Sequence, residues 1–152
     1  MTTANPTVPR FVNVFVRALL RTPAHRLMSR NTMLLSFTGR KTGKAYTVPV
    51  SYCREGEAII CFTDSGWWKN LRGGAPVTVT VAGRRLHGVG EFVEQSHPAA
   101  VASLRDFLLK TPRDAKYHGV TLGPDGTPDA EDLERAARTG RMIRINPRPL
   151  PG

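Results

Sequence analysis

At 152 residues the chain has the length of one domain with one core, and its 40% hydrophobic content lets it fold without staples. Lysine and arginine number 22 against 12 aspartate and glutamate, a formal net charge of +10 that favours an anionic partner: nucleic acid, anionic lipid or a polyanionic cofactor. The two cysteines, Cys53 and Cys61, form no CxxC pair, which argues against a zinc ribbon; they read as small buried hydrophobes in a reducing compartment.

Residues 1–10 are polar and hold Pro6 and Pro9, so they read as a flexible lead. Val12, Phe15, Val16, Leu19 and Leu20 then recur at helical spacing, with a break at Pro23 and a short continuation over 25–29. This broken helix carries Arg17, Arg21, His25, Arg26 and Arg30, a stripe that suits water or an anionic lipid surface. Its apolar stretch is too short to span a bilayer and lacks the pattern of a signal peptide. The expected location is cytoplasmic, with peripheral contact at the inner face of the membrane through the basic helix.

Strands are predicted over 33–37, 46–52, 58–63, 76–81, 85–93 and 142–145. The second alternates with period two: Tyr46, Val48, Val50 and Tyr52 on one face, Thr47, Pro49 and Ser51 on the other. Pro49 cannot donate to a ladder, which makes this an edge strand or a bulged one. Residues 54–57 read as a turn, and Gly88 and Gly90 within a long strand predict a bend or bulge. Asp64 or Ser65 is placed to cap a short helix ending at Gly73 and Gly74. A helix over 98–110 has Val101, Leu104, Phe107 and Leu108 on one stripe. Residues 111–127 are turn-rich, a short helix covers 129–138, and 147–152 form an extended tail.

Helices do not recur between the strands as crossovers, so a doubly wound sheet is excluded in favour of an antiparallel barrel with added helices. The expected organisation is a mainly β fold of about six antiparallel strands. One domain over 11–146 includes the N-terminal helix, with 1–10 and 147–152 outside it.

Two segments can carry chemistry. In Gly39-Arg40-Lys41-Thr42-Gly43-Lys44, two glycines permit a tight turn with outward amides, and three cations crowd into five residues. Such a turn can hold a phosphate, although the spacing is not that of a Walker A loop. In Trp67-Trp68-Lys69-Asn70-Leu71, adjacent tryptophans cannot share one helix face, so one is core and the other meets the barrel rim or a ligand. The histidines His25, His87, His97 and His118 lack metal-ligand spacing, and no nucleophile elbow or paired carboxylates stand out. This scarcity of acid–base groups suits hydride transfer with a cofactor, where the protein supplies placement and electrostatics.

The run from Leu34 to Lys44 continuing into Tyr46-Thr47-Val48-Pro49-Val50, and Trp67-Trp68-Lys69-Asn70-Leu71-Arg72 before Pro76-Val77-Thr78-Val79, resemble the deazaflavin (F420)-dependent nitroreductase family. Residues 20–27 resemble its N-terminal stretch. The resemblance implies a split β-barrel of the flavin-binding kind (FMN-binding split-barrel-like). It also implies hydride transfer from reduced F420 to a planar electron-poor acceptor such as a quinone or nitro compound. It places Arg40, Lys41 and Thr42 on the cofactor phosphate, with Gly39, Gly43 and Lys44 in the same turn, Tyr46 where the family often has an arginine, and Pro49 beyond. Trp67 and Asn70 would border the deazaflavin, with Trp68 beside them. The alternative is an FMN-using or non-catalytic split barrel that holds a flavin, tetrapyrrole or lipid. The expected partners are a small-molecule hydride acceptor and a second copy of the chain, with no nucleic acid and no metal.

Overall fold

The computed structural model describes residues 32–81 and 83–148. The broken N-terminal helix therefore lies outside the described residues, as do residues 1–10 and the last four of the chain.

Seven antiparallel strands form one sheet. They are β1 (Thr32–Thr38), β2 (Ala45–Ser51), β3 (Cys53–Glu55), β4 (Ala58–Thr63), β5 (Ala75–Val81), β6 (Arg84–Val93) and β7 (Arg141–Arg148). Their spatial order is β2-β1-β5-β6-β7-β4-β3. The two edges, β2 and β3, are consecutive in the chain and separated only by Tyr52. The sheet must therefore curl until its edges meet, and the chain itself crosses the seam. The two edge strands are not hydrogen-bonded to each other, so the barrel stays split along that seam.

That seam corrects two expectations. The predicted strand over 46–52 is β2, and an unpredicted short strand, β3, follows it after Tyr52, because the chain leaves β1 and continues onto β4. The turn placed at 54–57 shrinks to Gly56 and Glu57, with Gly56 at φ +62°. The strand count rises from six to seven, and β7 runs to Arg148 rather than stopping at 145. Pro147 fits there because it lies opposite Gly88, at the far end of the β6–β7 ladder.

Side-chain alternation sorts the residues between two cores. Met33, Leu35 and Phe37 of β1, Tyr46 and Val48 of β2, Val77, Val79 and Val81 of β5, and Ile143 and Ile145 of β7 fill the barrel. β4 is apolar on both faces: Ile59 and Cys61 point inward, while Ile60 and Phe62 point outward. The outward pair is covered by α1 (His97–Lys110) and α2 (Ala130–Thr139). Leu104, Phe107 and Leu108 of α1 are fully buried there, each contributing about 1.5–3 kcal/mol by leaving water. Because Cys53 packs with the outer cluster and Cys61 with the inner one, they lie on opposite faces of the sheet and are both free. Burial raises the Cys61 thiol pKa far above its usual range.

α1 begins where its sequence says it should: Ser96 Oγ accepts from Ala99 N at 3.4 Å, with a proline in the first turn. Asp129 caps α2 in the same way, accepting from Asp132 N at 3.0 Å. The stretch 111–127 is less irregular than expected, since Pro112–His118 forms a 3-10 helix ended by Gly119 at φ +70°. Gly88 and Gly90 produce no bulge; both ladders of β6 run through them in register. Their role is close approach: a Cβ at Gly88 would meet the Asn146 carbonyl oxygen at 2.5 Å, and one at Gly90 would meet Val77 at 3.1 Å. Among the described residues no helix is long and apolar enough to cross a membrane.

Candidate functional site

The β1–β2 hairpin presents the glycine-flanked basic turn. Gly39 N donates to Lys44 O and Gly43 N donates to Gly39 O, both at 2.8 Å, and Gly43 takes φ +69°. Lys44 N donates to Thr42 Oγ1 at 3.2 Å. Arg40 N donates to the Asn70 side-chain oxygen at 3.0 Å, across thirty residues of sequence. Four of the six turn amides are thus committed. Among the described residues, those of Lys41 and Thr42 donate to nothing. They are consecutive and lie in an exposed turn, the arrangement of an anion nest. The Lys41 and Lys44 side chains are exposed and, among the described residues, ion-paired to no carboxylate.

Beneath the turn lies an aromatic stack. Tyr46 stacks on Phe37 at 5.8 Å between centroids, and Phe37 stacks on Trp67 at 5.4 Å. Tyr46 is buried, and its hydroxyl meets Thr42 Oγ1 at 3.3 Å. Gly39 is packed against the same ring: a Cβ there would stand 2.7 Å from Thr42 Oγ1 and 2.8 Å from Tyr46 Cε2. The turn is therefore shaped from below by the barrel core.

The second segment is a 3-10 helix, Gly66–Leu71. Ser65 occupies the N-cap position without a side-chain cap bond, contrary to expectation; its N–H donates to Thr63 Oγ1 at 3.0 Å instead. The tryptophans divide as adjacency requires. Trp67 is 4% exposed and belongs to the core, so the residue expected to border a cofactor ring is a packing residue whose own ring faces inward. Trp68 is half-buried and leans on Phe92 at 4.5 Å, with the Arg72 guanidinium 4.7 Å and that of Arg141 5.4 Å from its ring centre. Asn70 uses both ends of its amide: the oxygen accepts from Arg40 N, and the nitrogen donates to Trp67 O at 3.0 Å. The Arg40 guanidinium donates to the Arg72 carbonyl. These bonds join the two segments that sequence alone could only set side by side.

The structure brings together Gly39, Arg40, Lys41, Thr42, Gly43, Lys44, Tyr46, Trp67 and Asn70. It leaves Pro49 apart: the odd spacing from Tyr46 puts it on the opposite face of β2, exposed, with Leu34 as its cross-strand partner.

Beyond Arg72 a cavity of about 790 Å³ opens between the 3-10 helix, the end of β6, the start of α1, the end of α2 and the start of β7. Trp68 and Phe92 form its aromatic wall, and Arg72, Arg138, Arg141, Glu94, Gln95 and His97 supply its polar side chains. Its volume suits a drug-sized ligand. Apart from the tryptophan segment, none of these residues carried a sequence signal. The lining comes from three stretches of sequence, 68–73, 92–100 and 137–142, and only the curl of the sheet makes them neighbours. His97 is paired with Glu134 at 2.8 Å, and His118 with Asp114 at 2.9 Å. Among the described residues no three metal-ligating side chains gather.

The curled antiparallel sheet with its added helices is the fold of the split β-barrel proteins. Residues 8–114 match the F420H(2)-dependent quinone reductase family, and the chain belongs to that family. No curated protein matches it. Among solved structures it is similar to a FAD-binding protein from Mesorhizobium loti, at 14% identity and TM-score 0.54 over 82% of this chain and 86% of that one. It is also similar to a putative 5-nitroimidazole antibiotic resistance protein from Bacteroides thetaiotaomicron, at 12% identity and TM-score 0.53 over 82% and 76%. An F420-H2 dependent reductase, FDR-A, matches at 17% identity and TM-score 0.51 over 76% and 94%. At these identities the likeness is one of fold.

Proposed function

We propose that this protein oxidises reduced F420 and passes the hydride to a planar, electron-poor acceptor such as a quinone or nitro compound. Family membership favours the cofactor. The observation that carries the reading is the pair of unspent amides at Lys41 and Thr42, in a turn flanked by exposed cations and tied to the 3-10 helix through Asn70.

The residues present fit a phosphate-bearing cofactor. Lys41 N–H and Thr42 N–H would donate to phosphate oxygens, while the Lys41 and Lys44 ammonium groups lower the cost of gathering negative charge there. Arg40 would serve the site in two ways. Its amide donates to Asn70 and one guanidinium nitrogen to the Arg72 carbonyl, which positions the turn, while the remaining guanidinium donors are available to an anion. Tyr46 supports Thr42 from beneath. Asn70 holds the Trp67–Arg72 segment beside the turn, where it forms one side of the seat for a flat ring. Bound there, reduced F420 would supply the hydride; the chain contributes placement and electrostatics.

The test is a calorimetric titration of the purified protein with F420, FMN and FAD, followed by oxidation of reduced F420 with menadione as acceptor. F420 should bind more tightly than FMN, and turnover should require both protein and menadione. Tighter binding of FMN at low salt would turn the assignment to an ordinary flavin-using split barrel. Failure of all three to bind would leave a barrel that sequesters an apolar or tetrapyrrole ligand.

A further inference from the structure

The cavity beside Trp68 carries more positive charge than its neighbours neutralise. Arg72, Arg138 and Arg141 line it, and among the described residues none of the three is paired with a carboxylate. Glu94 is the one acidic side chain in the lining, and His97 is already held by Glu134. Arg141 also donates to the Arg138 carbonyl at 3.3 Å, which fixes it at the end of α2 with its guanidinium turned toward the Trp68 ring. The charges border an aromatic corner: Trp68 and Phe92 lie 4.5 Å apart with their planes tilted by 49°. Two guanidiniums against an indole, with spare donors and a volume of about 790 Å³, match a flat ring that carries a negative charge.

We infer that this cavity is the acceptor site and that it prefers a planar acceptor ionised at neutral pH, such as a hydroxyquinone or an aromatic carboxylate, over a neutral ring of the same size. The ring packs on Trp68 and Phe92, and the anionic oxygen meets the Arg72 and Arg141 guanidiniums. The cavity adjoins the proposed cofactor seat, because the carbonyl of Arg72 receives the Arg40 guanidinium while its own side chain enters the cavity. The assignment as acceptor site rests on the reading of the turn as a cofactor seat; the preference for a flat anion does not.

The test compares two naphthoquinones by equilibrium dialysis in the absence of any reductant: 2-hydroxy-1,4-naphthoquinone, an anion at neutral pH, and menadione, its neutral methyl counterpart. The anion should bind about tenfold more tightly at low salt, and the ratio should shrink with added salt. Arg72→Gln and Arg141→Gln should each lower affinity for the anion several-fold more than for menadione, while Trp68→Leu should weaken both. Equal binding of the two quinones by the unmodified protein, or a ratio indifferent to both arginine substitutions, would overturn the inference. The wild-type ratio and its salt dependence decide the matter even where a variant fails to fold. F420 binding is measured separately. Anion selectivity with no F420 binding would keep the cavity and remove the cofactor reading; F420 binding without anion selectivity would do the reverse.

Discussion

Gly39 and Lys41 sit two residues apart and answer to different constraints. Gly39 is buried against Tyr46, whose ring is fixed by its stack on Phe37. The methyl group of Gly39→Ala would enter space held by that ring and by Thr42. The Thr42 hydroxyl can rotate away; the tyrosine cannot without disturbing the stack. We expect Gly39→Ala to cost about 1–3 kcal/mol, the usual range for overpacking, read as a lower denaturation midpoint with an unchanged denaturant slope. Lys41 faces solvent, and its side chain makes no bond to the rest of the described chain. Lys41→Ala should leave the midpoint within about 0.5 kcal/mol of the parent. Its effect should fall on F420 affinity, and because the backbone amides remain, the loss should be about tenfold, or 1.4 kcal/mol. Unchanged affinity in a titration would remove Lys41 from the site; loss of cooperative unfolding would make it structural.

At the level of elements, the hairpin β1–β2 and the 3-10 helix Gly66–Leu71 act as one unit because Asn70 bridges them. Its oxygen and nitrogen serve different partners, so substitutions can separate them. Asn70→Asp keeps an acceptor for Arg40 N–H and loses the donor to Trp67 O; Asn70→Ala loses both. Each lost bond at this partly exposed position should cost about 0.5–1.5 kcal/mol. Both variants should bind F420 more weakly than the parent, the aspartate also through the negative charge it brings beside the phosphate seat. An alanine variant that binds like the parent would show that the turn holds its shape without the bridge. The same elements show what was legible beforehand. Period-two alternation in β2 and the apolar run of β4 were readable because burial on one face or two leaves a direct trace in composition. The division of Trp67 from Trp68 was readable as a necessity, but not which went inside, because that depends on Phe37 offering a ring at the right height. The seam at Tyr52 was not readable. Nothing local marks a residue at which a strand exchanges one partner for another. The cavity was hidden for a related reason: Phe92, Arg138 and Arg141 come from segments that meet only in three dimensions. The basic turn was found because its chemistry lies within six contiguous residues; its fastening to Asn70 spans thirty.

For the molecule as a whole, the net charge of +10 sets how binding should respond to salt. FMN and F420 both offer a flat tricycle and a phosphate, so the Lys41–Thr42 amides and the neighbouring cations discriminate poorly between them. F420 adds a tail of several carboxylates. A basic protein with Lys41 and Lys44 exposed at the turn attracts that tail where FMN presents nothing comparable. The tail stays largely in water, so each ion pair should add only about 0–1 kcal/mol, and the preference for F420 should be modest. Screening makes it conditional. At an ionic strength of about 0.15 M the Debye length is roughly 8 Å, so pairs held through solvent weaken while the directly hydrogen-bonded phosphate is affected less. The expected result is therefore two titration series that converge: F420 affinity falls steeply with added salt, FMN affinity falls gently, and their ratio approaches unity at high salt. Parallel slopes for the two ligands would mean that the tail makes no contact with the protein, and selectivity would then have to come from the ring. A preference that persists undiminished at high salt would place the tail in a dry, hydrogen-bonded groove rather than on the charged surface. Removing one cation separates these outcomes: Lys44→Gln should reduce the salt slope for F420 and leave that for FMN nearly unchanged if the tail passes over the turn.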